Sequence, residues 1–434
     1  MRLNKNGKIL ICILLAVLAI IILVVCLCNK QNTDMGDIPE ATHPQQGQQE
    51  YIKTSTKPWA NKAWLNGFNP EKVEEIHFVY DKGNVNAEKA WAFDGVSFYF
   101  KNNSIYIATG KQLKITGSMN GAFEGLENLK IIDGFDLIDT SEVLDMGNLF
   151  KGCTSLTELS IGGLETNNVI FAYSMFQGCT KLETLDMSNM DMQNAVDMNS
   201  IFSNCTSLTL LKFPTTRDVE TLSRAFECVG ATSPSVQIEG ILNTANCEDM
   251  SFMFYGACIY DYRFTKDFDT SSLKTAESMF ESAGVFAVDL SSWNTENLEN
   301  TKQMFQYNSF LKTCDMTGWN MKSLNNCESM FYMCTSLDEM NLGWTNVGNI
   351  QNASGLFDCC FSIKVFDVTC LDGIIIGNAS KMFAECESAK NIYCNGFEAN
   401  VSDQMFIYCV ELNGFDDQHV DISMATTDKY FTAK

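Results

Sequence analysis

Histidine is the rarest reactive residue in this 434-residue chain: His43, His77 and His419 are all there are, and they lie far apart in the sequence. None sits beside a nucleophile motif, so catalytic triads, zinc–histidine sites and histidine-dependent acid–base work find no support. Cysteine is plentiful at 18, but no C-x-x-C occurs, which removes the pattern of zinc ribbons and thioredoxin-like redox centres. No glycine-rich phosphate loop is present either, and neither a cofactor nor a metal is expected. Positive charge is also short. The chain has 30 Lys and Arg against 53 Asp and Glu, a net charge of -23. Residues 1–30 carry four basic and no acidic residues, so the remainder has 26 against 53, or -27. Such a surface repels polyanions, and nucleic acid is not an expected partner. Prolines number six, four of them before residue 71.

What is present in quantity is a repeat. Phenylalanine recurs at 123, 150, 176, 202, 226, 254, 280, 305, 331, 357, 383 and 406, at intervals of 27, 26, 26, 24, 28, 26, 25, 26, 26, 26 and 23 residues. Twelve copies of so steady a period are the signature of a solenoid. Upstream of each Phe, apolar residues fall seven, four and one positions before it, as in Val143, Met146, Leu149, Phe150 and in Leu324, Cys327, Met330, Phe331. That spacing predicts one face of a short helix. Asp139-Thr140-Ser141, Asp269-Thr270-Ser271 and Asn294-Thr295 offer side-chain oxygens to cap its first turn.

Downstream of the Phe the period becomes two. Leu185-Asp186-Met187, Leu159-Ser160-Ile161, Val288-Asp289-Leu290, Cys314-Asp315-Met316, Met340-Asn341-Leu342 and Phe366-Asp367-Val368 each read as a short strand. The expected fold is therefore α/β: a leucine-rich-repeat-like solenoid of about eleven to twelve strand–turn–short-helix repeats of ~26 residues, with strands pairing into a long parallel sheet. The repeats, best in Met175–Met198, Met304–Phe331 and Met330–Phe357, and the lead-in SIYIATGKQLKITGSMNGAFEGLENLKIIDG, resemble the BspA-like leucine-rich-repeat surface proteins in their Met-Phe-rich version. The resemblance covers roughly residues 76 to 418. It implies surface display and adhesion, and it carries over no catalytic residues.

The rest of the chain divides by composition. Residues 1–8 form a basic leader, and Ile9 to Cys28 is an apolar run of twenty residues, long enough to span a bilayer with the N-terminus in the cytoplasm. A cleaved signal peptide or a lipid-modified Cys26 or Cys28 are the competing readings. Residues 29–58 are a polar stalk, 59–120 a β-rich cap with strands at Ile76–Tyr80, Val96–Phe100 and Ser104–Ile107, 121–418 the solenoid, and 419–434 a polar tail. The stretch 212–246, with Pro214 and Pro234 and the irregular intervals, reads as a protruding loop or bend.

Four sets of residues are candidates for chemistry. Cys153, Cys179, Cys205, Cys334, Cys360, Cys386 and Cys409 each lie three residues after an anchor Phe, with Ala283 and Asn308 in the same slot. They read as packed free thiols in a position that asks for a small side chain. Trp293, Trp319 and Trp344 share a phase between strand and helix and read as core rather than as a sugar-stacking strip. Asp289 and Asp315, about 5 Å apart on adjacent rungs, could serve a glycan hydrolase, but two solvated carboxylates are the simpler reading. Finally, the outward residue of each strand forms a row, Asp133, Ser160, Asp186, Lys212, an irregular rung near Gln237, Arg263, Asp289, Asp315, Asn341, Asp367 and Tyr393. Any polar residue would tolerate that face, yet the row is sorted by charge. Asp186, Lys212, Arg263, Asp289, Asp315, Asn341, Asp367 and Tyr393 are therefore the candidate ligand face. The expected function is a membrane-anchored, extracellular platform for a protein or glycan partner, with an envelope glycan hydrolase or a passive spacer as alternatives.

Overall fold

The computed structural model describes residues 59–433 apart from 82–85, 94–95, 110–112, 233–235, 241 and 428. The expected leader, membrane span and stalk (1–58) lie outside the described residues, among which no helix is long and apolar enough to cross a membrane.

The anchor phenylalanines organise the interior. All twelve are at most 1% exposed, and each ring packs on the next at 5.3 to 5.9 Å between centroids. Trp64 closes the column at one end, edge-on to Phe123 at 6.0 Å. Tyr430 closes the other, edge-on to Phe406 at 5.3 Å. Around this column the chain winds as a β-solenoid of about twelve turns. One wall of most turns is a short parallel strand, for example Thr184–Asp186, Leu210–Lys212 and Gln237–Glu239 in register. A second parallel ladder runs through single bridges from Asp145 by way of Phe171, Asp197, Thr221, Asp249, Thr275, Asn300 and Asn326 to Asn352.

The predicted helices are not there. Val143, Met146, Leu149 and Phe150 are all fully buried, but Val143 lies in the strand Ile138–Asp145 and the chain that carries the other three is a succession of tight turns. Backbone amides alternate between two acceptors. Leu149, Lys151 and Cys153 bond back three residues, to Met146, Asn148 and Phe150, while Met146, Asn148, Phe150 and Gly152 donate to Phe171, Tyr173, Met175 and Gln177 of the next rung at 2.7 to 2.8 Å. The residues two before and two after the anchor take the left-handed conformation on every rung, from Gly121 (φ 61) and Gly125 (φ 63) to Gln404 (φ 57) and Tyr408 (φ 62). A helix cannot pass through such positions, because one hand of twist must run throughout. The local cost of the left-handed residues is offset by the rung-to-rung hydrogen bonds that a helix would have kept to itself. The apolar spacing of 3, 3 and 1 is as compatible with serial three-residue turns as with a helix. The fold is thus almost entirely β and turn rather than α/β.

The expected caps of those helices are turn fasteners instead: Asp139, Asp269 and Asn294 accept the amides of Ser141, Ser271 and Glu296 at 3.0, 3.0 and 3.2 Å. At the N-terminal end, strands β1 (Glu75–Val79), β2 (Lys89–Phe93), β3 (Val96–Lys101) and β4 (Ser104–Ala108) form a small sheet. β2, β3 and β4 are antiparallel, and β1 pairs in parallel with both β4 and the first-rung strand Ile131–Asp133. At the other end the residues expected as a polar tail fold back. Phe431–Thr432 pairs with Ile392–Tyr393, and Tyr430 and Phe431 are 3% and 2% exposed against Phe406. Of the stretch expected to protrude, Gln237–Glu239 pairs in register with Leu210–Lys212, while residues 233–235 and 241 lie outside the described residues. The irregular rung is the next one, where a 3-10 helix, Arg263–Asp267, replaces the strand.

Candidate ligand face

Leu185 and Met187 are 2% and 0% exposed, and Asp186 between them faces out. Parallel pairing in register then fixes the row. Asp186 lies beside Lys212 and Lys212 beside Glu239, Asp289 beside Asp315, and Asn341 beside Asp367 and then Tyr393. Glu239, not Gln237, is the row's member on the rung after Lys212. At the cap the row continues through His77, which sits opposite both Asp133 and Tyr106; its Nδ1 is 3.0 Å from Asp133 and its Nε2 3.2 Å from Glu75. His77 and Tyr106 were legible as outward positions of cap strands but not as part of the row, because register across the cap is set by pairing, not by the repeat.

Arg263 does not belong to the row. It opens the 3-10 helix and its guanidinium turns to Asp261, Nε to Oδ2 at 2.7 Å. The strand gives way there because Tyr262 inserts between rungs, edge-on to Phe254 and Phe280 at 5.6 and 5.7 Å, with its hydroxyl donating to the Ala257 and Ala283 carbonyls. Lys266, from the same helix, supplies the cation instead and pairs with Asp289. Lys212 pairs with Asp186 at 2.9 Å.

The aspartates have structural work that the sequence did not disclose. Asp186 accepts the Ser188 amide at 3.0 Å, Asp289 that of Ser291 at 3.1 Å, Asp315 that of Thr317 at 3.0 Å and Asp367 that of Thr369 at 3.3 Å. Each fastens the turn that follows its strand, so part of the sorting of the row comes from turn chemistry, and not every polar residue would serve. The Ser188 hydroxyl and Lys212 hold the Asp186 carboxyl down to about 2. Lys266, then Ser291, hold Asp289 down to about 2. Between Asp315, Asn341, Asp367 and Tyr393, with Lys312 and Glu339 at its edge, the row opens into a groove of about 400 Å³.

The interior candidates are accounted for by packing. All seven ladder thiols are buried and unpaired. Each Sγ donates to the carbonyl of the preceding anchor Phe, from Cys409 to Phe383 at 2.9 Å to Cys179 to Phe150 at 3.3 Å. Asn308 does the same with its amide, Nδ2 to the Phe280 oxygen at 2.6 Å. The slot therefore favours a small donor, not smallness alone. Burial pushes the thiols up, Cys153 and Cys205 to about 12, which leaves them unreactive. Trp293, Trp319 and Trp344 are at most 4% exposed. Trp293 and Trp319 stack at 5.9 Å, and their indole nitrogens donate to the Thr265 and Leu290 carbonyls. Among the described residues no group of three His, Cys, Asp or Glu is placed to hold a metal ion.

The fold and its stacked rungs define a solenoid repeat protein, a β-solenoid of about twelve turns. The family model described as "Mycoplasma protein of unknown function, DUF285" matches residues 117–239, 220–344 and 307–419, more than half of the chain. The chain belongs to that family. Among solved structures, the crystal structure of a leucine-rich repeat protein from Bacteroides ovatus is similar, with a TM-score of 0.47 and 16% identity over 83% of this chain and 92% of that one. No curated protein matches the chain.

Proposed function

We propose that this is a cell-surface binding and adhesion module of the BspA-like kind, held by its N-terminal apolar segment on a polar stalk and meeting a protein or glycan partner through the exposed strand row. The observation that carries the reading is the groove of about 400 Å³ on that row, where residues from four successive rungs, Asp315, Asn341, Asp367 and Tyr393, converge. Rigid strands place these side chains at fixed intervals, a favourable base for recognition because little must be ordered on binding. Thr317 and Thr369 fasten the turns beside Asp315 and Asp367, so the carboxylates are held in place before a partner arrives.

A glycan hydrolase at Asp289 and Asp315 is the weaker reading. The ionised member of such a pair must offer an oxygen to the sugar or to a water, and both oxygens of Asp289 are already engaged, Oδ1 by the Ser291 amide and hydroxyl and Oδ2 by Lys266. The test is a binding screen of the full-length chain against purified glycans and matrix proteins. It is followed by the triple change Asp289→Asn, Asp315→Asn, Asp367→Asn. Asparagine keeps the oxygen that fastens each turn, so the fold should persist while partner binding weakens and loses salt sensitivity. Binding that survives this change, or a panel that yields no partner, sinks the proposal.

A further inference from the structure

A second groove, of about 430 Å³, lies on the turn wall. On four successive rungs the residue two before the anchor Phe is Gln303, Ser329, Gly355 and Lys381. Two short residues between two long ones leave a trough, and Gly355 keeps its floor low: a Cβ there would come within 3.1 Å of Ser329 Oγ. Tyr332 and Asp358, each one residue after its anchor, also line it. Three rung steps make the trough about 14 Å long.

Gln306 supplies the second observation. It lines the same trough and is 7% exposed, its Nε2 reaches Glu281 at 3.4 Å, and its buried Oε1 has no hydrogen-bond partner. An unmatched buried acceptor is costly until a donor arrives. We propose that the trough is a carbohydrate site that takes about two rings of a neutral glycan, with one hydroxyl donating to Gln306 Oε1, others exchanging hydrogen bonds with Asp358, Ser329 and Lys381, and one ring face against Tyr332. Donors and acceptors both line the trough, which suits neighbouring hydroxyls that each give and accept. Burial pushes the Asp358 carboxyl up, and Glu281 behind Gln306 to about 6. The charged groups that line the trough, Asp358 and Lys381, are one of each sign, so a neutral ligand fits better than an ammonium or a peptide end.

The site is separate from the strand row, and its test separates the two. Saturation-transfer NMR of the full-length chain is recorded with lactose, maltose, mannobiose and N,N′-diacetylchitobiose, and with dialanine as the zwitterionic control. At least one disaccharide should receive transfer. Gln306→Met, which keeps the volume but removes the acceptor, and Tyr332→Ala should each weaken its binding about tenfold or more, while Asp315→Asn leaves it unchanged. Should Gln306→Met disturb the fold, Ser380→Trp blocks the trough from the surface and takes its place. No transfer to any of the four sugars, transfer that survives these changes, or a preference for dialanine overturns the assignment.

Discussion

Replacing Phe305 by alanine is the sharpest perturbation of the stack. The ring is fully buried and lies 5.4 Å from Phe280 and 5.5 Å from Phe331. Truncating a buried Phe costs about 3–5 kcal/mol through lost transfer energy and the cavity left behind, and the two ring contacts put this site at the upper end, since each such pair adds about 0.5–1.5 kcal/mol. The damage should be local at first, because each rung meets only its neighbours. Urea denaturation followed by amide exchange reads both effects. The midpoint falls, and protection is lost first at the amides that tie this rung to its neighbours, Phe280 to Met304 and Phe305 to Met330. A midpoint shift no larger than that of Lys364→Ala, at an exposed site, would refute the column as the organising element.

Three further outcomes are expected. Asn308→Ala removes its bonds to the Phe280 and Phe305 carbonyls and from the Val285 amide and should destabilise by about 1–3 kcal/mol. Asn308→Cys should recover part of this, and equal loss for both would show that the slot needs no donor. Alkylation followed by mass spectrometry should find the seven ladder cysteines free in unfolded, unreduced protein and slow to react in folded protein; a majority found paired would contradict their packing role. Asp186 and Asp289 have folded values near 2, below their ordinary 3.8. Their contribution to stability is complete above about pH 4 and disappears as pH falls through about 2. Acid titration of the Asp186→Asn, Asp289→Asn double variant should therefore show a shallower loss of stability in that window than the parent chain.

Much of this was legible in the sequence, and the part that was not has a physical reason. The period, the anchor Phe and the inward positions follow from apolar spacing, which reports burial directly. The helix did not follow, because spacings of three and one are common to a helix and to serial turns. Gly125, Gly152, Gly178 and Gly256, each two residues after an anchor, were the available sign of a left-handed position, but the other eight rungs place Asn, Cys, Ser, Tyr, Met or Glu there. Lys266 displaced Arg263 on the row because Tyr262 replaces a strand by a 3-10 helix, an effect of packing against Phe254 and Phe280 that no single repeat records. The trough on the turn wall depends on Gly355 standing between rungs with longer residues, visible only once rungs are aligned in space. The tail closes the stack because Tyr430 and Phe431 reach Phe406, two aromatics that a polar composition concealed.

The central claim is that the twelve turns are held by rung-to-rung hydrogen bonds through an alternating-hand wall, not by twelve short helices. Far-UV circular dichroism of the full-length chain tests it most directly. The account predicts a β-and-turn spectrum whose helical component is no larger than the twenty-residue apolar segment Ile9 to Cys28 can supply. A dominant α-helical double minimum would contradict it.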